Sequence, residues 1–495
     1  MTQGLIGWIP NGPASTVRTA INTADAALAT ESEGTSAPSP TQPFMLWRNN
    51  TAKLVKRRNS ADNGWNIKEN YGATVDPSPG DDTADGYILG SVWRNTAAKK
   101  NWICEDNATN AAKWVTIEHL SVRQFGAKGD GTTDDTAAIT AAIAAMPATG
   151  CRLWFPAGTY KVSSTIELNK PGIYFGDFGA TFIKTSHATN DVFLVTAEFV
   201  TIADMSWDSS VTRSGGAYVK VTTGNRFRLE RFRMYHYYNG IHITSAFGAT
   251  ATIQSGELYT GVAGSATGII INAGYDISIC DFLIAGGSTI AQGILITAAG
   301  DVEMSRLGLL ECGIGLNIFA SGGAGIASVW VQNSFLDNCG RGCSIGASGS
   351  GSAVVRLLFN QVWFSSAHTD YGVCLYTASG GIVDGVDFIG CHVFLNAASG
   401  IVVTSTAVKN VNVLGGAFAQ NGGAGVSFAV SGIESFSVKG IRAGASYGCT
   451  GNTYGVFVES GCTKYIITDN NLLGNTTTNL NDGGTTPKVV SDNLT

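Results

Sequence analysis

Two acidic residues, Glu311 and Asp337, are spaced as a pair that could cleave a glycosidic bond. They are 26 residues apart, which matches one period of a repeat that runs through this part of the chain. If successive repeats stack as parallel strands, the backbones of the two residues lie about 4.8 Å apart. Two carboxylates this close repel, so one is expected to hold its proton at higher pH than usual. A separation of about 5 Å suits the two carboxyl groups of a retaining glycoside hydrolase.

The pair belongs to a ladder of polar residues that continues through later repeats as Ser366, Asn396 and Gln420. Strict alternation along a strand would turn this ladder inward, so it reaches solvent only if it lies at a corner of the coil. An internal, hydrogen-bonded polar ladder is the alternative interpretation. The residues two positions earlier are expected to point inward; they are Leu309, Phe335, Phe364, Phe394 and Phe418.

Other charged and aromatic side chains surround this ladder in the sequence. A lyase acting on a polyuronate would need a base and a cation that neutralises the sugar carboxylate, for which Arg306 or Arg341 could serve. Aromatic residues could stack on sugars, or they could pack in the core. The remaining candidates are Asp281, Asp301, Glu303, Asp370, Asp384, Asp387, His368, His392, Trp330, Trp363, Tyr371 and Tyr376.

The repeat that positions these residues is a glycine followed by an apolar-x-apolar triplet, as in Gly240-Ile241-His242-Ile243. Successive glycines are 22 to 30 residues apart. A period of 20–30 residues with short strands is typical of a β-solenoid, in which each coil buries its apolar side on its neighbours. In this pattern His242 faces outward. The glycines are Gly240, Gly268, Gly293, Gly315, Gly342, Gly372, Gly400, Gly425 and Gly455.

A long motif precedes the repeats: F-G-A-K-G-D-G-T-T-D-D-T-A-A-I from Phe125, then W-F-P-A-G-T-Y from Trp154. Two glycines bracket Asp130 in a tight turn. Thr133, Asp134 or Asp135 can then cap a helix whose apolar residues are Ile139, Ile143 and Met146. We expect these three aspartates to be structural, and the helix to cover the end of a long β structure.

These two motifs resemble the start of the pectate-lyase-like superfamily of right-handed parallel β-helices, especially its bacteriophage tailspike members. The resemblance implies an all-β, right-handed, single-stranded parallel β-helix with an N-terminal capping helix. It also implies a carbohydrate-facing role, a homotrimer and a place in the virion. It covers residues 118–165 directly, and the glycine repeat extends it to about residue 490.

The chain before this motif reads as an attachment region. Ser32 to Gln42 is a Ser/Thr/Pro-rich linker, and a Trp-Arg-Asn stretch occurs twice, at Trp47 and at Trp93, each followed by another tryptophan. Such a duplication predicts small β-hairpin modules, similar to adapter modules of phage tail proteins. The predicted domains are 1–42 (virion-attachment segment and linker), 43–117 (duplicated β adapter modules), 118–198 (β-helix entry with capping helix) and 199–495 (parallel β-helix coils).

Composition excludes several classes of protein. The 495 residues carry a net charge of −6 with no basic stripe, which argues against nucleic acid as a partner. No secretion signal is recognisable and no apolar run reaches about 18 residues, so membrane insertion is not expected. None of the ten cysteines forms a C-x-x-C pair and the histidines are scattered, so neither a metal site nor a cofactor is predicted. Cys339 and Cys343 are the pair to examine for a disulfide.

The sequence thus predicts a phage tailspike that binds and depolymerises a host surface polysaccharide, by hydrolysis or by β-elimination. Its predicted partners are two further copies of itself, the host polysaccharide, and other virion tail or baseplate proteins contacted through the N-terminal region. The alternative is a structural or receptor-binding tail or neck fibre on the same fold, without catalysis. Catalysis would require at least two carboxylates in one groove, whereas a fibre would leave them dispersed.

Overall fold

The computed structural model describes residues 33–39, 41, 43–116, 119–223, 226–244, 250–262, 264–445 and 448–495. Most of the predicted attachment segment, 1–42, lies outside these residues. The chain divides into two compact units, Met1–Leu120 and Ser121–Thr495, each described by itself below. In the described part of the chain, no helix is long and apolar enough to cross a membrane.

The first unit contains a seven-stranded sheet with two similar three-stranded antiparallel meanders, which pair through the parallel strands Trp65–Ala73 and Tyr87–Asn95. The remaining strand, Glu33–Gly34, pairs in parallel with Leu46–Asn49. The duplicated sequence gives the same hairpin turn twice. Asn49 Oδ1 accepts hydrogen bonds from the backbone of Thr51 and Ala52, and Asn95 Oδ1 accepts them two and three residues on in the same way. The strands are β1 (Glu33–Gly34), β2 (Leu46–Asn49), β3 (Leu54–Arg58), β4 (Trp65–Ala73), β5 (Tyr87–Asn95), β6 (Lys100–Asp106) and β7 (Lys113–Thr116).

The second unit is a parallel β-solenoid of about 16 turns, as predicted. Its single α-helix in the described residues, α1 (Thr136–Ala144), follows the 3₁₀ turn Val122–Phe125. The first strands are β8 (His119–Ser121), β9 (Asp130–Asp134), β10 (Cys151–Phe155), β11 (Gly158–Val162), β12 (Ile166–Leu168), β13 (Gly172–Gly176), β14 (Thr181–Thr185), β15 (Phe193–Val195), β16 (Val200–Ala203), β17 (Ser206–Ser209), β18 (Ala217–Val221), β19 (Phe227–Tyr235), β20 (Asn239–Ile243), β21 (Ala251–Tyr259) and β22 (Thr267–Ile271). The later strands are β23 (Ile277–Ile296), β24 (Ala299–Ser321), β25 (Gly325–Gln332), β26 (Phe335–Asp337), β27 (Arg341–Ser348), β28 (Ala353–Asn360), β29 (Trp363–Ser365), β30 (Val373–Ala378), β31 (Ile382–Ile389), β32 (His392–Phe394), β33 (Ile401–Val403), β34 (Val408–Leu414), β35 (Ala417–Ala419), β36 (Ala424–Phe428), β37 (Glu434–Lys439), β38 (Arg442–Ala443), β39 (Tyr454–Val458), β40 (Thr463–Thr468), β41 (Thr478–Asp482) and β42 (Lys488–Ser491).

Each coil contributes one strand to each of three parallel faces, and every strand pairs with its equivalent one coil later. In the coils that carry the candidate site, face A contains β25, β28, β31 and β34, and face B contains β26, β29, β32 and β35. Face C contains β27, β30, β33 and β36. Strand β24 is long enough to contribute to all three faces.

The repeating glycine marks a place where consecutive coils approach too closely for a side chain. A Cβ added to Gly315 would lie 2.7 Å from the carbonyl oxygen of Gly342, and one added to Gly342 would lie 2.5 Å from that of Gly372. The column continues with the same contact from Gly240 to Gly455. The periodicity read from the sequence therefore reflects direct contact between the backbones of stacked coils.

Part of the interior is polar. Asn396 is 2% exposed, and its Nδ2 donates to Asn421 Oδ1 at 2.8 Å. Asn421 donates in the same way to Asn452 at 2.8 Å, and Asn452 donates to Asn475 at 3.0 Å. Each of the three also donates to a backbone carbonyl, at Phe364, Val393 and Phe418 respectively. The solenoid therefore contains an internal ladder of asparagines, and of the residues predicted for the polar ladder only Asn396 belongs to it.

The entry motif folds as a structural turn. Asp130 Oδ1 accepts from the backbone N–H groups of Thr132 and Thr133 at 2.8 and 2.7 Å. Asp134 accepts from Thr136 N at 3.0 Å. Asp135 occupies the N-cap position, but its carboxylate instead accepts from the backbone of Lys128 and Gly129. All three carboxylates thus bond to backbone amides, but the predicted cap comes from Asp134, since Asp135 at the N-cap makes no side-chain cap hydrogen bond. The helix buries Ile139 and Ile143, also as predicted.

Candidate functional site

Faces A and B meet at a corner where each coil turns through one residue with a left-handed backbone. Asn333 has φ 49° and Gln361 has φ 53°, and they occupy equivalent positions in successive coils. Asn and Gly enter this conformation most readily, and short polar side chains suit an exposed bend. We call this set the corner row; its members are Asp204, Arg231, Ser255, Asp281, Arg306, Asn333, Gln361, Gly390, Gly415, Gly440, Asp469 and Asp492.

Directly after the corner row, face B presents aromatic rings to solvent. Phe335 pairs with Trp363, which pairs with His392 in the following coil. Phe335 is 46% exposed and Trp363 is 48% exposed, whereas their neighbours Leu336 and Phe364 are fully buried. Because successive strand residues point to opposite sides, the buried pair fixes the aromatic row on the outside.

The two exposed rings lean in opposite directions along the solenoid. Phe335 lies over Gly308 of the preceding coil, where an added Cβ would come within 2.9 Å of the phenyl ring. Trp363 stacks on His392 of the next coil, with ring centroids 5.7 Å apart and planes inclined by 21°. It also meets Phe394 edge-on at 5.5 Å. A groove opens between Phe335 and Trp363 because each ring packs on the coil away from the other.

This groove has a volume of about 710 Å³. Its floor contains Asp337 and Ser365, and Ser365 Oγ donates a 2.7 Å hydrogen bond to Asp337 Oδ1. The corner row supplies the amide side chains of Asn333 and Gln361 at its edge. The lining residues are Asn333, Ser334, Phe335, Asp337, Gln361, Trp363, Ser365, Ser366, Gly390, His392 and Phe394.

The electrostatic character of the groove is set by one carboxylate. Asp337 is the only acidic residue among the lining residues, and none of them is Lys or Arg. Burial lowers the pKa of His392 below its usual range, and the charge of Arg442 lowers it further. The imidazole is therefore neutral at pH 7. Such a groove offers aromatic faces, amides, hydroxyls and one anionic acceptor.

The structure corrects the predicted relationship between Glu311 and Asp337. Asp337 pairs with Leu310, one residue before Glu311, and not with Glu311 itself. Glu311 has φ 54° and equivalent residues of later coils are also left-handed. We call these the second corner row: Glu311, Asn338, Ser366, Leu395 and Gln420. The predicted polar ladder was therefore wrong at Asp337 and at Asn396, each of which is displaced by one residue from this row.

The predicted inward aromatic register was wrong at the same two coils. Phe335 and Phe394 line the groove, and the buried residues are Leu336 and Val393 instead. Leu309, Phe364 and Phe418 do point inward, as predicted. Aligning the coils by a fixed repeat length does not detect these one-residue shifts in register, because successive coils differ in length by several residues.

Most of the other candidate residues have partners outside the groove. Arg306 bonds Asp281 through two nitrogens, at 2.5 and 2.8 Å. Arg341 Nε bonds Asp370 at 2.9 Å and lies over the ring of Tyr371. The acceptors Glu303, Asp384 and Asp387 receive hydrogen bonds from Gln332, Asn410 and Asn412 respectively. Tyr376 stacks on Phe319, Trp330 is exposed on face A, and Asp301 and His368 are exposed.

All ten cysteines are free thiols, so Cys339 and Cys343 are not bridged. Over the described ranges, no group of three or more His, Cys, Asp or Glu side chains is arranged to hold a metal ion. His242 lies between buried Ile241 and Ile243 and faces outward, as predicted.

Five residues that line the groove were not singled out from the sequence, namely Asn333, Ser334, Gln361, Ser365 and Gly390, and neither was Gly308, on which Phe335 packs. The signal for Gly308 is its pairing with Phe335, which follows only once the register is known. The sequence did carry a signal for Asn333 and Gln361. They lie five positions after Ser328 and Arg356 respectively, and polar or glycine residues recur at this spacing. This second periodicity is hidden because its members differ in residue type.

The fold is a parallel β-solenoid like that of pectate-lyase-like β-helix proteins, and it carries an external groove lined by aromatic rings. Residues 119–344 match the family model described as rhamnogalacturonase A/epimerase, pectate lyase-like. A stretch of 60 residues is 42% identical to the exo-poly-alpha-D-galacturonosidase of Dickeya chrysanthemi and covers 12% of this chain and 10% of that protein. The chain spans about a tenth of the length of the first curated relatives that it matches.

Two solved structures are similar over most of the chain. The mannuronan C-5 epimerase AlgE6 A-module of Azotobacter vinelandii is 16% identical with a TM-score of 0.52, over 76% of this chain and 98% of that one. The Dettilon tailspike protein is 13% identical with a TM-score of 0.55, over 69% of each chain. At these identities the similarity establishes the shared fold.

Proposed function

We propose that this chain is a phage tailspike that binds a bacterial surface polysaccharide in the groove of face B and cleaves it. The observation that carries the proposal is the pair of exposed rings, Phe335 and Trp363, on either side of a polar floor. Carbohydrate-binding surfaces need flat apolar faces together with a few well-placed hydrogen-bonding groups. The groove supplies both.

Cleavage would use Asp337 and Glu311 as the two carboxyl groups. Asp337 is fixed in the groove by Ser365, and Glu311 lies on the second corner row, one residue beyond the strand partner of Asp337. A glycoside hydrolase needs an acid and either a nucleophile or a base on opposite sides of the bond, about 5 to 9.5 Å apart. We assign the two residues to these roles without ordering them.

We propose a homotrimer that attaches to other tail or baseplate proteins through its N-terminal region. The similarity of the fold to the Dettilon tailspike protein supports this proposal. The names of other similar proteins, an exo-poly-alpha-D-galacturonosidase and a mannuronan epimerase, support a polysaccharide as the ligand.

A receptor-binding fibre without catalysis is the second candidate. One specific observation favours it: Asp337 is the only carboxylate among the residues that line the groove. A binding groove needs no second carboxylate, whereas a hydrolase does.

Incubation of the purified protein with a panel of bacterial capsular and O-polysaccharides tests the proposal. New reducing ends would be measured together with the ultraviolet absorbance of unsaturated uronates. Reducing ends without absorbance indicate a hydrolase, and both signals indicate a lyase. Binding without either signal supports the fibre. If no polysaccharide binds, or if Trp363→Ala leaves binding unchanged, the groove is not the binding site.

A further inference from the structure

We infer that the groove of face B takes a neutral segment of its polysaccharide and rejects a uronate-rich one. This inference rests on the proposed function, because it specifies the ligand of the same groove. It is carried by the charges in and around the groove and by the way in which those charges are already paired.

The first observation concerns the floor of the groove. Ser365 Oγ donates to Asp337 Oδ1 at 2.7 Å, and within the described part of the chain this carboxylate forms no ion pair with Lys, Arg or His. A sugar carboxylate bound between Phe335 and Trp363 would lie beside it. Two like charges in contact and partly shielded from water repel, unless one of them takes up a proton. The hydroxyl groups of a neutral sugar would instead donate hydrogen bonds to the carboxylate of Asp337.

The second observation concerns cations. Lys and Arg are absent from the lining residues. On the N-terminal side, Arg306 precedes Asn333 in the corner row, but its guanidinium is held by both oxygens of Asp281. On the C-terminal side, Arg442 lies beyond Ala417, two coils past His392. The charge of Arg442 reaches the His392 ring, but among the residues that line the groove an anionic polymer would meet no Lys or Arg to neutralise it.

The third observation concerns His392, the one lining residue that could become a cation. Its ring is half-buried under Trp363, and burial lowers its pKa. The charge of Arg442 acts in the same direction. Around pH 7 the imidazole therefore serves as part of an aromatic platform and adds no positive charge.

The shape of the groove indicates how a neutral chain would lie. Phe335 and Trp363 belong to successive coils, whose strands are about 4.8 Å apart. An oligosaccharide that contacts both rings runs along the solenoid axis and crosses these coils in order. Its hydroxyl groups then meet the amides of Asn333 and Gln361 on one side and Asp337 on the floor.

Binding measurements with neutral and uronate-containing bacterial polysaccharides test the inference at constant pH and ionic strength. A polymer counts as a ligand of the groove only if Trp363→Ala weakens its binding. We expect such ligands to have neutral repeating units. Any acidic polymer that binds should bind at least tenfold more tightly after chemical reduction of its carboxyl groups to alcohols, since this removes the charge and keeps the backbone.

Two variants sharpen the test. Asp337→Asn should lower the ratio of the affinity for the reduced polymer to the affinity for its acidic parent. Glu303→Gln, on face A, should leave this ratio unchanged. A groove-dependent acidic ligand whose binding weakens on carboxyl reduction would overturn this inference and leave the proposed function standing. If no polymer in the panel depends on Trp363, the proposed function is contradicted, and this inference with it.

Discussion

The Ser365 hydroxyl donates a 2.7 Å hydrogen bond to the carboxylate of Asp337, which lies opposite it on the preceding coil of face B. The bond fixes one carboxylate oxygen on the floor of the groove and leaves the other available to a ligand. It also distinguishes Asp337 from Asp281 and Asp370, whose carboxylates bind arginine. Under the proposed function, Asp337 is the carboxylate of the groove lining that would act on a bound sugar.

Replacing Asp337 with Asn should abolish most of the cleavage while binding is retained, because the amide keeps the shape but cannot take or give a proton. A positioned acid or base contributes about 10²- to 10⁴-fold, so turnover should fall within this range. Rates of reducing-end release, with affinity measured in parallel, provide the test. Glu311→Gln should have a similar effect. An unchanged rate in Glu311→Gln would remove this residue from the proposed pair.

Replacing Trp363 with Ala should weaken polysaccharide binding by about 30-fold, or about 2 kcal/mol, as for a central aromatic contact. Trp330→Ala is the matched control. Trp330 is 45% exposed and Trp363 is 48% exposed, but Trp330 lies on face A, outside the groove. Calorimetric titration of both variants would decide the matter, and an equal loss in the two would argue against a specific site on face B.

Replacing Asn421 with Ala should lower the free energy of unfolding by about 3 kcal/mol. Its side chain accepts from Asn396 and donates to both Asn452 and the carbonyl of Val393, so its removal leaves several buried groups unpaired. Denaturant unfolding measures the change. Asn412→Ala, on the outer side of face A where water can replace the lost partners, should cost less than about 1 kcal/mol. Equal losses would show that the internal ladder has no special role.

Replacing Leu395 with Asn should stabilise the protein by about 1 kcal/mol. Leu395 is exposed and has φ 61°, a conformation that costs most residues about 1–2 kcal/mol and Asn less. Leu473→Asn is the control, since Leu473 is similarly exposed and is not among the left-handed residues. Thermal unfolding should show a higher midpoint for Leu395→Asn alone; a decrease would mean that the leucine side chain makes a contact that outweighs the strain.

Stability should fall as the pH is lowered from 7 to 5, in part because of His242. Burial lowers the pKa of this imidazole, the charge of Lys220 lowers it further, and Asp191 opposes the shift. The unfolded chain, with a histidine pKa of about 6.5, therefore binds the proton more tightly. The histidine's contribution to stability is complete above that pH and is lost as the pH falls toward the lower folded-state pKa.

The His242→Gln variant tests this origin. Its unfolding free energy should decline less between pH 7 and 5 than that of the unchanged protein, and the two slopes should agree at pH 8. Denaturant unfolding at each pH gives the slopes. Parallel slopes throughout would assign the acid sensitivity to other groups, such as His187, whose pKa is lowered by burial and by Arg213.

The solenoid was predictable because its signals are local and repeated. The glycine column can be recognised in the sequence because each coil needs one close backbone contact. The turn at Asp130 can be recognised because the amides that donate to its carboxylate are only two and three residues away. These features depend on neighbours in sequence or on a fixed position in every coil.

The groove was less predictable because its register depends on how many residues each corner uses. A shift of one residue exchanges inward for outward positions, and such a shift moved Phe335 from the expected core to the surface. Trp363 and His392 were noted as candidates, but the sequence could not show that they stack on each other. That contact joins residues 29 positions apart.

The alternation of buried and exposed residues on face B has an evolutionary consequence. The side chains that form the groove, such as Phe335 and Trp363, alternate with those that hold the coils together, such as Leu336 and Phe364. If the proposed function holds, ligand preference and folding depend on different positions of the same three-residue strands. Outward residues of face B could then be exchanged to suit another polysaccharide while the stacked interior stays the same.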